Sequence, residues 1–165
     1  MAYEVSRRNF MKGAAMAAAA AAVSGLMTGC SGDTKPVAQI QLGDYTVKVT
    51  STETAQKSSG EIFVGKITPT VSIAYSGVGS MTLAYKDIFS AELGGSKMTL
   101  NNPLSVYNTT VGAFKPCEPE FQSKDESLYG AYLNRTQVMK LNVTLDKKTA
   151  VFTIKNRGDI TVAMA

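Results

Sequence analysis

Met139-Lys140-Leu141-Asn142-Val143-Thr144-Leu145 alternates apolar and polar residues without a break. A period of two puts Met139, Leu141, Val143 and Leu145 on one face of an extended chain, so the stretch reads as a strand with one buried face. Asp146-Lys147-Lys148 then turns the chain. Val151 to Lys155 reads as a second strand, Asn156 to Asp159 as a second turn, and Ile160, Val162 and Met164 as a last strand.

Toward the N-terminus the same period recurs. Ile40 and Leu42 alternate with glutamines, Gly43-Asp44 is a turn signal, and Tyr45, Val47 and Val49 alternate with Thr46, Lys48 and Thr50. Ser51 to Gly60 is small and polar and reads as a flexible loop. Ile62 to Ile67 is a short apolar run interrupted by Gly65. Val71, Ile73 and Tyr75 form one strand, and Met81, Leu83 and Tyr85 another. Phe89, Ala91 and Leu93 precede Gly94-Gly95, a hairpin signal, with Met98 and Leu100 beyond it. Leu104 to Phe114 holds one irregular strand, and Lys115 to Glu126 is a loop. Tyr129 to Leu133 carries no pattern that assigns it. No window after residue 30 shows a 3.6-residue period. Strands at about 8–12-residue spacing with turns between them predict an all-β sandwich.

The head of the chain follows a different rule. Ser6-Arg7-Arg8-Asn9-Phe10-Met11-Lys12 is basic, Gly13 to Ser31 carries no charge and is mostly alanine, and Met27-Thr28-Gly29-Cys30 ends it. Basic head, weakly apolar middle and small residues make a removable export signal with a helical middle, not a stable membrane anchor. Ser6-Arg7-Arg8-x-Phe10-x-Lys12 resembles a twin-arginine signal, in which Arg7, Arg8 and Phe10 are the export residues. Met27 to Cys30 resembles a bacterial lipobox, with methionine where that family usually has leucine. The resemblance implies that Cys30 is acylated, palmitate included, and becomes the first mature residue, anchored to the outer face of the cell membrane. The expected division is a signal peptide at 1–29, a lipidated tether at 30–37 and a β-sandwich domain at 38–165.

Three of the 17 basic residues and one of the 13 acidic ones precede Cys30, which leaves 14 and 12 and a net charge of +2. No basic run remains, so nucleic acid is not an expected partner. The chain has no histidine. That removes Ser-His-Asp and Cys-His nucleophiles, copper sites and nearly all catalytic zinc sites. No glycine-rich phosphate loop or Cys-x-x-Cys is present. No catalytic residue, cofactor or metal is therefore expected. Glu118, Glu120, Asp125 and Glu126 crowd one stretch but lack calcium-loop order and read as a solvated acidic loop.

With Cys30 acylated, Cys117 is the one remaining thiol, and it reads as an incidental loop cysteine with dimerisation or redox sensing as alternatives. Arg157-Gly158-Asp159 is the tripeptide integrins read, but Gly158 and Asp159 are also what a turn wants. Tyr107, Tyr129 and Tyr132 lie in irregular segments. With Cys117 they are candidates for a ligand or partner loop, core packing being the default.

From Ile40 to Ile154 the chain resembles the telokin-like, immunoglobulin-fold domains of unknown function in Gram-positive surface lipoproteins. Gly43 to Thr50 resembles their opening strand. Val71 to Tyr75, Met81 to Tyr85, Asp87, Phe89 and Gly94-Gly95 resemble their central strands and hairpin. Leu133 and Val138 to Leu145 resemble their late strand, with Asn134-Arg135 in place of the usual proline/glycine turn. The resemblance implies an immunoglobulin-like β-sandwich of about 7–9 antiparallel strands and brings no catalytic residue. The functional expectation is an extracytoplasmic, non-catalytic lipoprotein that presents loops to an envelope protein, polymer or small ligand. The alternative, suggested by the export route, is an exported redox enzyme or its accessory subunit.

Overall fold

The computed structural model describes residues 37–165, and most of the alternating segments are its strands. The first half runs β1 (Ala38–Leu42), β2 (Tyr45–Ser59), β3 (Ile62–Tyr75), β4 (Thr82–Ala84), α1 (Tyr85–Ile88), β5 (Phe89–Leu93), β6 (Ser96–Lys97) and β7 (Thr99–Leu100). The second half runs β8 (Val106–Asn108), β9 (Lys115–Cys117), β10 (Phe121–Ser123), α2 (Glu126–Leu133), β11 (Met139–Leu145), β12 (Lys148–Ile154) and β13 (Ile160–Met164).

Pairing between named strands is antiparallel throughout. One sheet has the order β1-β2-β3-β10-β7, with β9 also on β3. A second has the order β13-β12-β11-β5-β6, and β4 pairs with β8 alone. Val47, Val71 and Ile73 of the first sheet and Leu141, Val143, Phe152 and Ile154 of the second belong to one buried cluster. Each such side chain contributes about 1.5–3 kcal/mol when fully buried. β1 lies beside β12 and β13, and β7 beside β5, so the sheets approach along both margins.

Thirteen strands stand among the described residues, more than the 7–9 expected. The excess is in β6 to β10, two or three residues each, too short to display a period. Three further expectations are corrected, and one unassigned segment is placed. Ser51 to Gly60 is not a loop: Ser51–Ser59 continues β2 in register with Ile62–Thr70 of β3, after a bulge between Val49 and Ser51. The supposed loop Lys115 to Glu126 contains β9 and β10. Met81 to Tyr85 is not one strand, because β4 ends at Ala84 and a helical turn, α1, follows. Tyr129 to Leu133 belongs to α2, whose N-cap Asp125 accepts from the Leu128 amide at 2.9 Å.

Pro69 explains why two short strands share one side of β3. β10 pairs with Gly65–Ile67 and β9 with Val71–Ile73, so Pro69, which has no N–H to give, falls in the gap between them. Of the turns, Gly94-Gly95 forms the expected two-residue hairpin with φ +56 and +86. Asp146-Lys147 forms another, with φ 50 and 58 at two non-glycine residues.

Candidate functional site

Three local devices carry carboxylates to one end of the two sheets. The β1–β2 turn carries Asp44, the β11–β12 turn carries Asp146, and α1 carries Asp87. They line one open cleft of about 270 Å³, together with the apolar Leu83, Ile88 and Leu145 and the paired residues Tyr45 and Tyr75. The two rings lie 4.9 Å apart and are tilted by 33°. The Tyr45 hydroxyl donates to Met81 Sδ at 3.2 Å, and the Tyr75 hydroxyl reaches the Val78 carbonyl at 3.5 Å. Both rings therefore hold the loop between β3 and β4 at the cleft.

Asp146 sits tightly against Gly43. A Cβ on Gly43 would lie 2.2 Å from Asp146 Oδ2, and its φ is +60, so this turn needs glycine for space and for conformation. Burial raises the Tyr45 hydroxyl pKa, and Tyr75, Asp146 and Asp44 raise it further. Asp44 and Asp146 thus place negative charge near the Tyr45 hydroxyl. The one ion pair among the described residues, Lys66 with Glu120 at 3.0 Å, lies elsewhere. Carboxylates around aromatic and aliphatic walls suit a ligand with a cationic group on an apolar body. Read one at a time, Asp44 and Asp146 are turn residues, and the tyrosines are core residues; only the fold brings them together.

The residues singled out from sequence lie elsewhere. Tyr107, Tyr129 and Tyr132 are 3%, 2% and 0% exposed, so they fill the core and do not form an exposed aromatic surface. Tyr107 of β8 donates to the Ile73 carbonyl. Tyr129 donates to the Ala55 carbonyl at 2.9 Å, and the Tyr132 and Thr52 hydroxyls share a hydrogen bond of 3.2 Å. The two α2 tyrosines thereby clamp the helix to the β2–β3 hairpin. Cys117 is not in a loop: it pairs with Val71 in the first sheet and is buried. Burial, and then Glu118, pushes its thiol up to about 12, so it is a neutral thiol at pH 7.

The acidic stretch is divided among separate tasks. Glu120 binds Lys66 and accepts from Asn101, which lowers its pKa, while Asp125 caps α2. No group of three histidine, cysteine or acidic side chains is placed to hold a metal ion among the described residues. In Arg157-Gly158-Asp159 the positive φ of 47 falls on Arg157, not on Gly158 as the turn reading supposed. The Arg157 carbonyl accepts from Arg135 at 3.3 Å, and the Asn156 side chain donates to the Leu133 carbonyl at 3.0 Å. This loop is fastened to the end of α2.

Arg7, Arg8, Phe10 and Cys30 lie outside the described residues. Residues 4–24 match the family described as the TAT (twin-arginine translocation) pathway signal sequence. The chain is exported by the twin-arginine route. Arg7, Arg8 and Phe10 fall inside the matched segment, and Cys30 falls beyond it. Comparison with curated proteins and with solved structures gave no significant match.

Proposed function

We propose that this chain is an extracytoplasmic binding module, anchored through an acylated Cys30 to the outer face of the cell membrane. It takes, in the cleft between Asp44, Asp87 and Asp146, an envelope ligand that carries an organic cation on an apolar body. The observation that carries this reading is that Asp44, Asp87 and Asp146, none of them in an ion pair among the described residues, line the same cleft as the Tyr45–Tyr75 pair. Anchoring is supported by the order of the twin-arginine match and Met27-Thr28-Gly29-Cys30 behind it. The division into signal (1–29), tether (30–37) and domain (38–165) belongs to the same reading. So does an immunoglobulin-like sandwich, supported by two antiparallel sheets that share one core. The module is read as non-catalytic because the chain has no histidine and Cys117 is a buried neutral thiol.

Titration of the membrane-purified protein with benzyltrimethylammonium, followed by tyrosine fluorescence, tests the site. Saturable binding is expected, with loss in Asp87→Asn/Asp146→Asn and none for the uncharged carbon isostere. Equal binding of the isostere, or no saturation, overturns the ligand class. Mass spectrometry of the mature N-terminus tests the anchor, and an unacylated Cys30 defeats it. The second reading, an exported redox subunit, is favoured by the export route; a stoichiometric metal or chromophore on the purified protein would replace the first reading with it.

A further inference from the structure

We propose that the chain forms a two-fold dimer by antiparallel pairing of the outer edge of β2, Ser51 to Ser59, with the same edge of a second copy. β1 covers β2 only at Tyr45–Val49. Beyond the bulge, Ser51–Ser59 pairs with β3 on one side, and no described strand or backbone hydrogen bond takes up the other side. An unpaired strand edge presents a row of N–H and C=O groups, and it pairs with another strand unless something prevents it.

Charged side chains on an edge ordinarily repel strand addition. Here their placement selects a partner instead. Glu53, Ala55 and Lys57 alternate along one exposed face of the strand, while on the other face Thr52 and Thr54 are half-buried and the Thr52 hydroxyl is bonded to Tyr132 of α2. An antiparallel copy centred on Ala55 puts Glu53 opposite Lys57 of the second copy and Lys57 opposite its Glu53. The two-fold axis makes both pairs at once, as an isologous interface requires. Opposite charges directly across an antiparallel pair attract, and like charges repel. The same centring sets Ser51 against Ser59 and Thr54 against Gln56, and the single apolar residue of the seam, Ala55, meets its own copy on the axis. The small polar residues that make this stretch read as a loop are those that tolerate a solvent-facing join.

The occupant is therefore a second copy in a fixed register. Sedimentation of the membrane-purified, detergent-solubilised protein between about 1 and 100 µM tests it. A monomer–dimer equilibrium is expected. Glu53→Lys alone and Lys57→Glu alone each turn both cross-strand pairs into like-charged ones, and each is expected to weaken dimerisation by about tenfold or more. The double variant, and an equimolar mixture of the two single variants, restore opposite charges and are expected to dimerise again. Recovery in the mixture also shows that each single variant is folded. Ala55→Cys, placed on the two-fold axis, is expected to form a disulfide-linked dimer under mild oxidation, since facing Cα atoms lie within disulfide reach. A monomeric wild-type protein across this range overturns the proposal. So does indifference of the dimer to both single variants, or cross-linking by Gln56→Cys as readily as by Ala55→Cys.

Discussion

Gly65→Ala adds one methyl group at a position where the fold leaves no room for it. A Cβ there would lie 2.3 Å from Tyr129 Cδ2, 2.5 Å from Cγ and 2.7 Å from Cε2. Carbon atoms settle at about 3.5–4.0 Å, so the ring must retreat by about 1 Å. Tyr129 cannot do so freely. It is 2% exposed, packs on Phe63 at 5.5 Å between ring centres, and donates to the Ala55 carbonyl. Overpacking of this kind costs about 1–3 kcal/mol, and a lost hydrogen bond about 1 kcal/mol more. Against this, alanine gains about 0.5–1 kcal/mol over glycine within a strand, because Gly65 has no positive φ to preserve. The expected net loss is about 2 kcal/mol. The cause is isolated by a double-mutant cycle. Tyr129→Ala alone costs about 3–5 kcal/mol. In that background Gly65→Ala should change sign and stabilise by about 0.5–1 kcal/mol, a coupling of roughly 3 kcal/mol. Urea unfolding at constant m measures all four corners. An equal cost for Gly65→Ala with and without the tyrosine ring would refute the reasoning.

Lys147→Gly should raise stability by about 0.5–1 kcal/mol. The left-handed conformation at φ 58 costs a non-glycine residue about 1–2 kcal/mol, and glycine returns part of that as extra freedom in the unfolded chain. A urea midpoint that fails to rise would count against this account of the turn. Cys117 should make the fold sensitive to alkali. Its thiol is raised from 9.0 to about 12 by burial and Glu118. The folded state therefore holds the proton more tightly. Its contribution is complete below pH 9 and falls away as pH rises toward 12, at up to about 1.4 kcal/mol per unit. The slope of stability against pH should flatten in Cys117→Ala, and identical slopes in both proteins would contradict it.

The strands that were legible in the sequence are those with one face in the core. β11 and the first half of β2 alternate because Met139, Leu141, Val143, Tyr45, Val47 and Val49 are all buried. Ser51–Ser59 was illegible because its strand character comes from backbone pairing with β3, which needs no side-chain pattern. α2 was illegible because its eight residues carry Gly130 and bury only Tyr129 and Tyr132, too few for a helical period. Its cap was readable in principle: Asp125 is a favoured N-cap residue. For Tyr107, Tyr129 and Tyr132 the default reading, core packing, is what the fold shows, and the ligand-loop alternative is not, since all three are buried. The cleft escaped notice because each of its acids has a sufficient local explanation. Asp44 and Asp146 satisfy turns, and only antiparallel strands of both sheets ending on the same side make them neighbours of Asp87.

The ladder of β2 also fixes how the two proposals relate. Tyr45 faces Tyr75 at one end of the hairpin, and Ser59 faces Ile62 at the other. Ten residues separate the Tyr45 wall of the cleft from Ala55, about 33 Å along a strand at 3.3 Å per residue. Ala38, where the chain enters β1, lies opposite Val49 between them. A second copy joined at Ala55 therefore approaches the distal arm of the hairpin, and the carboxylates at the far end stay open. Cation binding should then be independent of protein concentration across the monomer–dimer range. A coupling between the two would mean that the arm and the cleft communicate through the long β2–β3 ladder, the one element they share.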